Sequence, residues 1–331
     1  MIHPPPISPG EFHVALAKNQ ARLRATARRA AIACVRSAWN RTAPQGAPHE
    51  QDFVAALVLE GTQILQHEWS KILERDGIRV DVRGVYCHQV PLVRSLGRNG
   101  KACEIADLLW CHVHTDSHGS TTRNALLLQA KKGDTTRPHK LALRELDQLR
   151  LYSRWPPFRF MPPDGRIHGV RRVTPSAPRL GAQYMLIDPR SPQSLYAGAA
   201  GTPRARPIGA CAASDPLIVQ ADLGLELVNF LGLRSGSPFD ARHTAMKEIG
   251  WSRVVWDLLD MTASKLFNRE RSGWLRVPRP VGASLDELDG ACSPADGVIP
   301  QYLLQLEGSA TGDGKAVSLL MIETRADNRP S

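Results

Sequence analysis

Ala102-Cys103-Glu104-Ile105-Ala106-Asp107-Leu108-Leu109-Trp110-Cys111-His112-Val113-His114 and, after the polar loop Thr115–Thr122, Asn124-Ala125-Leu126-Leu127-Leu128-Gln129-Ala130-Lys131 are the stretches on which the fold turns. Both are apolar runs of strand length. The loop between them carries Ser117, Gly119 and Ser120, so the pair reads as a hairpin. Side chains alternate faces along a strand, which places Gln129 and Lys131 together at the end of a Leu run. Asp107 stands inside an apolar stretch, where an unpartnered carboxylate is costly. A hairpin folded about Ser117–Ser120 sets Asp107 opposite Gln129 and Lys131. A slip of one residue would send it to the other face.

Outward from this hairpin the elements fall into order. Phe53, Leu57, Gly61, Ile64, Leu65 and Ile72 recur at helical spacing and predict a helix over 51–75, closed by Gly77. Ile78–Tyr86 alternates as a strand. A helix is expected from Pro138 to Trp155, stopped by Pro156-Pro157, and a strand over 182–188. Residues 46–190 therefore read helix, three strands, helix, strand, an α/β (α+β) core. Before it, 1–10 reads as a disordered tail, and Glu11–Trp39 as a helix in a stretch with seven basic residues and one acid between positions 11 and 41. Beyond it, 191–331 reads as a further α+β region. Its expected parts are helices over 217–233 and 241–270 and a hairpin of Gln301–Leu306 with Val317–Thr324.

Lys and Arg number 42 against 32 Asp and Glu, and 33 of the basic residues are Arg. An excess of that size points to polyanionic partners, and Arg forks phosphate where Lys does not. An arginine-heavy chain is equally what a GC-rich genome writes. Six cysteines lie without CxxC spacing, which argues against a disulfide scaffold or zinc ribbon and for a reducing, cytoplasmic setting. No run of 18 apolar residues predicts a membrane span. No GxxxxGK[ST] loop predicts nucleotide-driven work. Cys103, Cys111, His112, His114 and His118 fit no common zinc spacing.

Asp107 and the Gln129 side-chain oxygen form an all-oxygen set of the kind hard divalent cations, Mg²⁺ or Mn²⁺, prefer. Lys131 beside them can activate a water or steady charge on a phosphoryl oxygen. Glu60 lies on the apolar stripe of its helix and is a candidate third ligand. Gln148 and Tyr152, four apart, share a helix face and can support substrate or site. Lys132 and Arg144 are further candidates for substrate contacts.

Asp107 followed on the next strand by Gln129-Ala130-Lys131 resembles the bipartite signature of the PD-(D/E)xK nuclease superfamily, in the variant with Gln before x-Lys seen in Mrr-type endonucleases. The element order of 51–188 resembles that superfamily's αβββαβ, restriction-endonuclease-like core. Gln148-Leu149-Arg150-Leu151-Tyr152 resembles the Q-h-x-x-Y helix of RecB-like nucleases. The resemblance implies Asp107, Gln129 and Glu60 as metal ligands, Lys131 as the catalytic lysine, and Gln148 and Tyr152 in support. No proline precedes Asp107, and Gln129 stands where an acid is usual, leaving one charge fewer.

The expectation is a Mg²⁺- or Mn²⁺-dependent nuclease acting on DNA ahead of RNA, in a restriction or phage-defence setting. Ten basic and four acidic residues between 134 and 179 are expected to track phosphates. The C-terminal region is left for oligomerisation or a partner protein. The rivals are an ordinary Asp107–Lys131 ion pair inside a sheet, and a non-catalytic nucleic-acid-binding or scaffold subunit with a degenerate nuclease core.

Overall fold

A computed structural model describes residues 9–42, 46–87, 91–96, 100–161, 167, 169–173, 181–190, 206–241, 250–266 and 316–326. Its centre is a mixed eight-stranded sheet built from β1 (Ile78–Val85), β4 (Leu108–Thr115), β5 (Thr121–Lys132), β7 (Ala182–Ile187), β8 (Ile208–Cys211), β9 (Val219–Asp222), β10 (Ser237–Pro238) and β11 (Ser318–Ala326). The order is β1-β11-β4-β5-β7-β8-β9, with β10 also pairing β5. A second sheet holds β2 (Leu92–Ser95), β3 (Ala102–Glu104) and β6 (Phe158–Phe160) in the order β3-β2-β6.

The hairpin is present. β4 pairs antiparallel with β5 from Leu108↔Leu128 to Thr115↔Thr121, and Gly119 N–H donates to Asp116 O at 3.0 Å to close the turn. β4 and β5 are buried on both faces. Their even-numbered residues, among them Leu108, Trp110, Leu126, Leu128 and Ala130, join one apolar core. Odd-numbered Leu109, Cys111, Val113, Ala125 and Leu127 join the other. The first core is covered by α1 (Pro9–Thr42), by the helix from Glu50 to Leu73 (α2, Glu50–Ala56, then a π segment Leu57–Gly61, then α3, Thr62–Leu73) and by α5 (Leu223–Leu231). The second lies under α4 (Leu146–Arg154), α6 (Trp251–Leu266) and the small sheet. Burying each Leu, Ile or Phe contributes about 1.5–3 kcal/mol, which sets the strand alternation. The π segment passes close to β1 at Gly84, where a Cβ would stand 2.0 Å from Val58 O.

The cations of α1 are directed at the protein itself. Arg41 pairs with Glu60, Arg29 with Glu68 at 3.0 Å and Lys18 with Asp76 at 2.5 Å, a ladder along the antiparallel helix. Arg24 pairs at 2.6 Å with Asp222, whose carboxylate also caps α5 through Leu225 N–H. Exposed pairs of this kind contribute about 0–1 kcal/mol each, so they orient α1 while its Phe12, Leu16, Leu23 and Val35 anchor it.

Four expectations change. The run 102–114 is two strands: β3 belongs to the small sheet, the chain bends at Ile105–Asp107, and β4 enters the large one. The second helix begins later than Pro138. The His139 backbone bridges Leu217, and Ala142 N–H is taken by Glu145 at 2.7 Å, which starts the turn there. The region from 191 onward is continuous with the core sheet: β8 and β9 extend one side, and β11 lies between β1 and β4, antiparallel to the first and parallel to the second. The stretch 217–233 is β9 followed by α5. Of the expected tail at 1–10, Pro9 and Gly10 open α1 and residues 1–8 lie outside the described residues, as does the expected strand at 301–306. Among the described residues no helix is long and apolar enough to cross a membrane.

Candidate functional site

Continuing the β4–β5 register by one pair puts Asp107 across from Gln129, and the odd face carries Asp107, Gln129 and Lys131 together. Asp107 sits at the bend between sheets. Its N–H donates to Leu128 O at 3.1 Å, and its carbonyl accepts from Ser318 N–H at 3.3 Å. Its Oδ2 accepts from Gln129 Nε2 at 2.5 Å and from Ala130 N–H at 2.8 Å. Gln129 Nε2 also donates to Glu104 Oε2 at 3.3 Å. One amide nitrogen therefore stands between two carboxylates.

The helix after β5 locks this arrangement. Gln148 Nε2 donates to Gln129 Oε1 at 2.5 Å and to Glu104 O at 3.0 Å, and Tyr152 Oη donates to Ile105 O at 2.6 Å. Lys131 Nζ pairs with Glu145 Oε1 at 2.8 Å, both side chains being mostly buried. Positions 145, 148 and 152 lie on one helix stripe, all turned to the corner. Trp155 closes α4 in the left-handed region (φ 46°), packed edge-on to Trp251.

Burial, then the neighbouring Glu104 charge, pushes the Asp107 carboxyl up to about 7, opposed by the Ala130 N–H and by Lys131. Glu50, at the start of α2, adds to the upward push. Burial plus a like charge produces such a shift at functional carboxylates and at structural ones alike: Glu323 of β11 is pushed up to about 7 by burial, with Asp81 adding to the push.

The structure brings Asp107, Gln129, Lys131, Gln148 and Tyr152 together and leaves Glu60 out. Glu60 accepts from Ser37 Oγ at 2.7 Å and pairs with Arg41. The helix carboxylate at the corner is Glu50, whose Oε1 accepts from Lys132 N–H at 3.2 Å. Ten helical residues separate Glu50 from Glu60, about 15 Å. Lys132 Nζ donates to Pro48 O at 3.1 Å, so it ties the strand to the helix start. Arg144 is exposed beside Glu145. The internal pair of Lys131 is with Glu145 and not with Asp107. Of the basic residues between 134 and 179 expected to track phosphates, Arg171 is instead buried against Asp257 at 2.5 Å.

Sequence reasoning passed over Glu104, Glu145 and Glu50. Glu145 had a signal: it lies three before Gln148 and seven before Tyr152.

Among the described residues no group of three His, Cys, Asp or Glu side chains is arranged to hold a metal ion. The oxygen donors at the corner are two carboxylates, Asp107 and Glu104, and one amide, Gln129, whose nitrogen lies between the two carboxylates. Amide nitrogen and oxygen exchange places by a half-turn, so this donor set suits a hard divalent ion.

The fold and the corner define a mixed α/β protein with a carboxylate–amide–lysine cluster at a switch between two sheets. No family model matches the chain, and neither the curated proteins nor the solved structures contain a match to it.

Proposed function

We propose that the chain is a metal-dependent nuclease with a restriction-endonuclease-like core, hydrolysing phosphodiester bonds in DNA. The observation that carries this is the convergence of Asp107, Gln129 and Lys131, from two strands, with Glu104 and the side chains of α4. Asp107, Glu104 and Gln129 Oε1 would hold Mg²⁺ or Mn²⁺, which when bound supplies Lewis-acid polarisation of a phosphoryl oxygen and a more acidic water. Lys131 presents the one ammonium of the corner to the reacting group, and Glu145 aims it. Gln148 stands against the Gln129 amide and would turn its own amide with it, and Tyr152 fixes the bend that carries Asp107. A parallel β5–β7 pair with α4 between supports the core assignment. The place of β11 between β1 and β4 is a departure from a simple αβββαβ meander.

The test is plasmid and linear DNA with Mg²⁺, Mn²⁺ or EDTA, for wild type, Asp107→Ala and Lys131→Ala. Metal-dependent cutting reduced about 10²–10⁴-fold in both variants is the expected result. Binding without cutting in every condition rejects catalysis. One observation favours that second reading, a scaffold subunit with a degenerate site: the Lys131 ammonium is already neutralised by Glu145, and Asp107 Oδ2 already accepts two hydrogen bonds.

A further inference from the structure

Two arginines face each other across the small sheet. Arg94 of β2 is in register with Arg159 of β6, and both are exposed. Val93, Phe158 and Phe160 point into the core, so alternation turns Arg94 and Arg159 outward, with Ala102 and Glu104 of β3. Like charges directly opposite on an antiparallel pair repel. Among the described residues no carboxylate forms an ion pair with either arginine. Glu104 is the acid that shares their face in the small sheet, and it accepts from Gln129 at 3.3 Å. Among the described residues the repulsion is therefore uncompensated, and an anion would relieve it.

The position of the pair names the anion. Neighbouring strands lie about 4.8 Å apart, so Arg94 stands one strand and Arg159 two strands from Glu104, a track of about 10 Å leading away from the Asp107 corner. Guanidinium forks match phosphate oxygens in pairs. Ala102 and Leu92 are the apolar residues on this face, and among the described residues it offers no aromatic ring for base stacking, which single-stranded recognition relies on. We infer that the outer face of β2, β3 and β6 seats the sugar–phosphate backbone of duplex DNA, with Arg94 and Arg159 gripping phosphates beside the bond presented to Asp107 and Lys131. The placement of that bond rests on the nuclease reading; the seat itself does not.

The experiment titrates fluorescein-labelled duplex DNA with full-length protein in EDTA, reading anisotropy over a series of NaCl concentrations. The proteins are wild type, R94A/R159A, R94K/R159K and R22A/R36A, the last removing two exposed arginines of α1. The double alanine variant is expected to bind at least about tenfold more weakly and to lower the slope of log K against log salt by about 2, at about 0.9 per phosphate contact. The lysine variant keeps the slope and loses part of the affinity, and the α1 variant stays at wild type. R94A/R159A is expected to melt no lower than wild type, because a repulsion has been removed. If it does melt lower, the single R159Q variant replaces it, with a slope reduced by about 1. An unchanged slope in R94A/R159A, or in R159Q where it stands in, or an equal loss in R22A/R36A, overturns the seat. Arginine-dependent binding with no cutting after Mg²⁺ is added keeps the seat and removes the nuclease reading.

Discussion

Two polar clusters interrupt the apolar central strands, on opposite faces. On the odd face Asp107 and Gln129 meet side chains from α4 and the carboxylate of Glu104, and the Glu50 charge acts on Asp107 from farther off. On the even face His112 Nε2 and His114 Nδ1 share Thr324 Oγ1, each at 2.9 Å, while Phe12 stacks on His114 at 3.9 Å and Phe230 lies beside His112. Burial drives both imidazoles down, to about 3 and about 4, so the histidines are neutral packing groups. At the other cluster burial leaves a carboxyl that exchanges its proton near neutral pH, next to a lysine and a second acid. Burial alone does not separate the two; a group poised between charge states among partners from several elements does.

The sharpest way to break the comparison is to damage each cluster in turn. Lys131→Ala should lower metal-dependent cleavage about 10²–10⁴-fold in the folded fraction, and the urea midpoint should fall as well because Glu145 loses its mostly buried partner. Thr324→Val should lower stability alone. It strands two buried ring nitrogens at about 1–3 kcal/mol each, with cleavage preserved in the folded fraction. If Thr324→Val abolishes cleavage in fully folded protein, or Lys131→Ala leaves it intact, the assignment of function to one cluster and packing to the other is wrong.

Acid titration separates them by sign. The folded histidines stay neutral below the unfolded value of 6.5, so their contribution is complete above 6.5 and is lost as pH falls toward 3 to 4. Asp107 holds its proton up to about 7 against 3.8 in the unfolded chain, so its contribution is complete below 3.8 and is lost as pH rises through 7. Between about pH 4 and 6.5 the two oppose each other. Melting temperatures in EDTA should show Asp107→Asn gaining on wild type as pH rises through this window. Asn keeps the two bonds accepted at Oδ2. His112→Leu should lose ground over the same range. Parallel curves for Asp107→Asn and wild type would remove the case for a protonated Asp107.

What was legible in the chain divides along physical lines. The Asp107–Gln129 facing was readable because the polar loop fixes a short turn, and a turn fixes register. Gln148 and Tyr152 were readable because helical spacing is local. Glu104 was not. With 102–114 taken as one strand, an even position cannot share a face with Asp107; the bend at Ile105–Asp107 resets the alternation. The α1 ladder to Asp76, Glu68 and Glu60 was equally hidden, since pairings 58, 39 and 19 residues apart leave no periodic trace. Nor does anything in Ser318–Ala326 announce that it inserts between β1 and β4, because strand partners distant in sequence are chosen by the assembled core.

The smallest expected effect tests the one site residue that moved. A carboxylate on an apolar stripe calls for a partner, and Glu60 has one in Arg41, a pair about two-fifths exposed on each side. Glu50 drew no notice because it precedes the stripe, at the helix end nearest the β5 tail, where it receives Lys132 N–H and acts on Asp107. Glu50→Gln should therefore lower cleavage by about tenfold, the cost of one carboxylate near the reacting group at about 1.4 kcal/mol. Glu60→Gln should leave cleavage within about twofold and stability within about 1 kcal/mol. The same glutamine substitution on the same helix thus gives a ratio of the two losses. A ratio near one would return the helix carboxylate to an undecided role, and a larger loss at Glu60 would mean that α1 and the corner are coupled through Arg41.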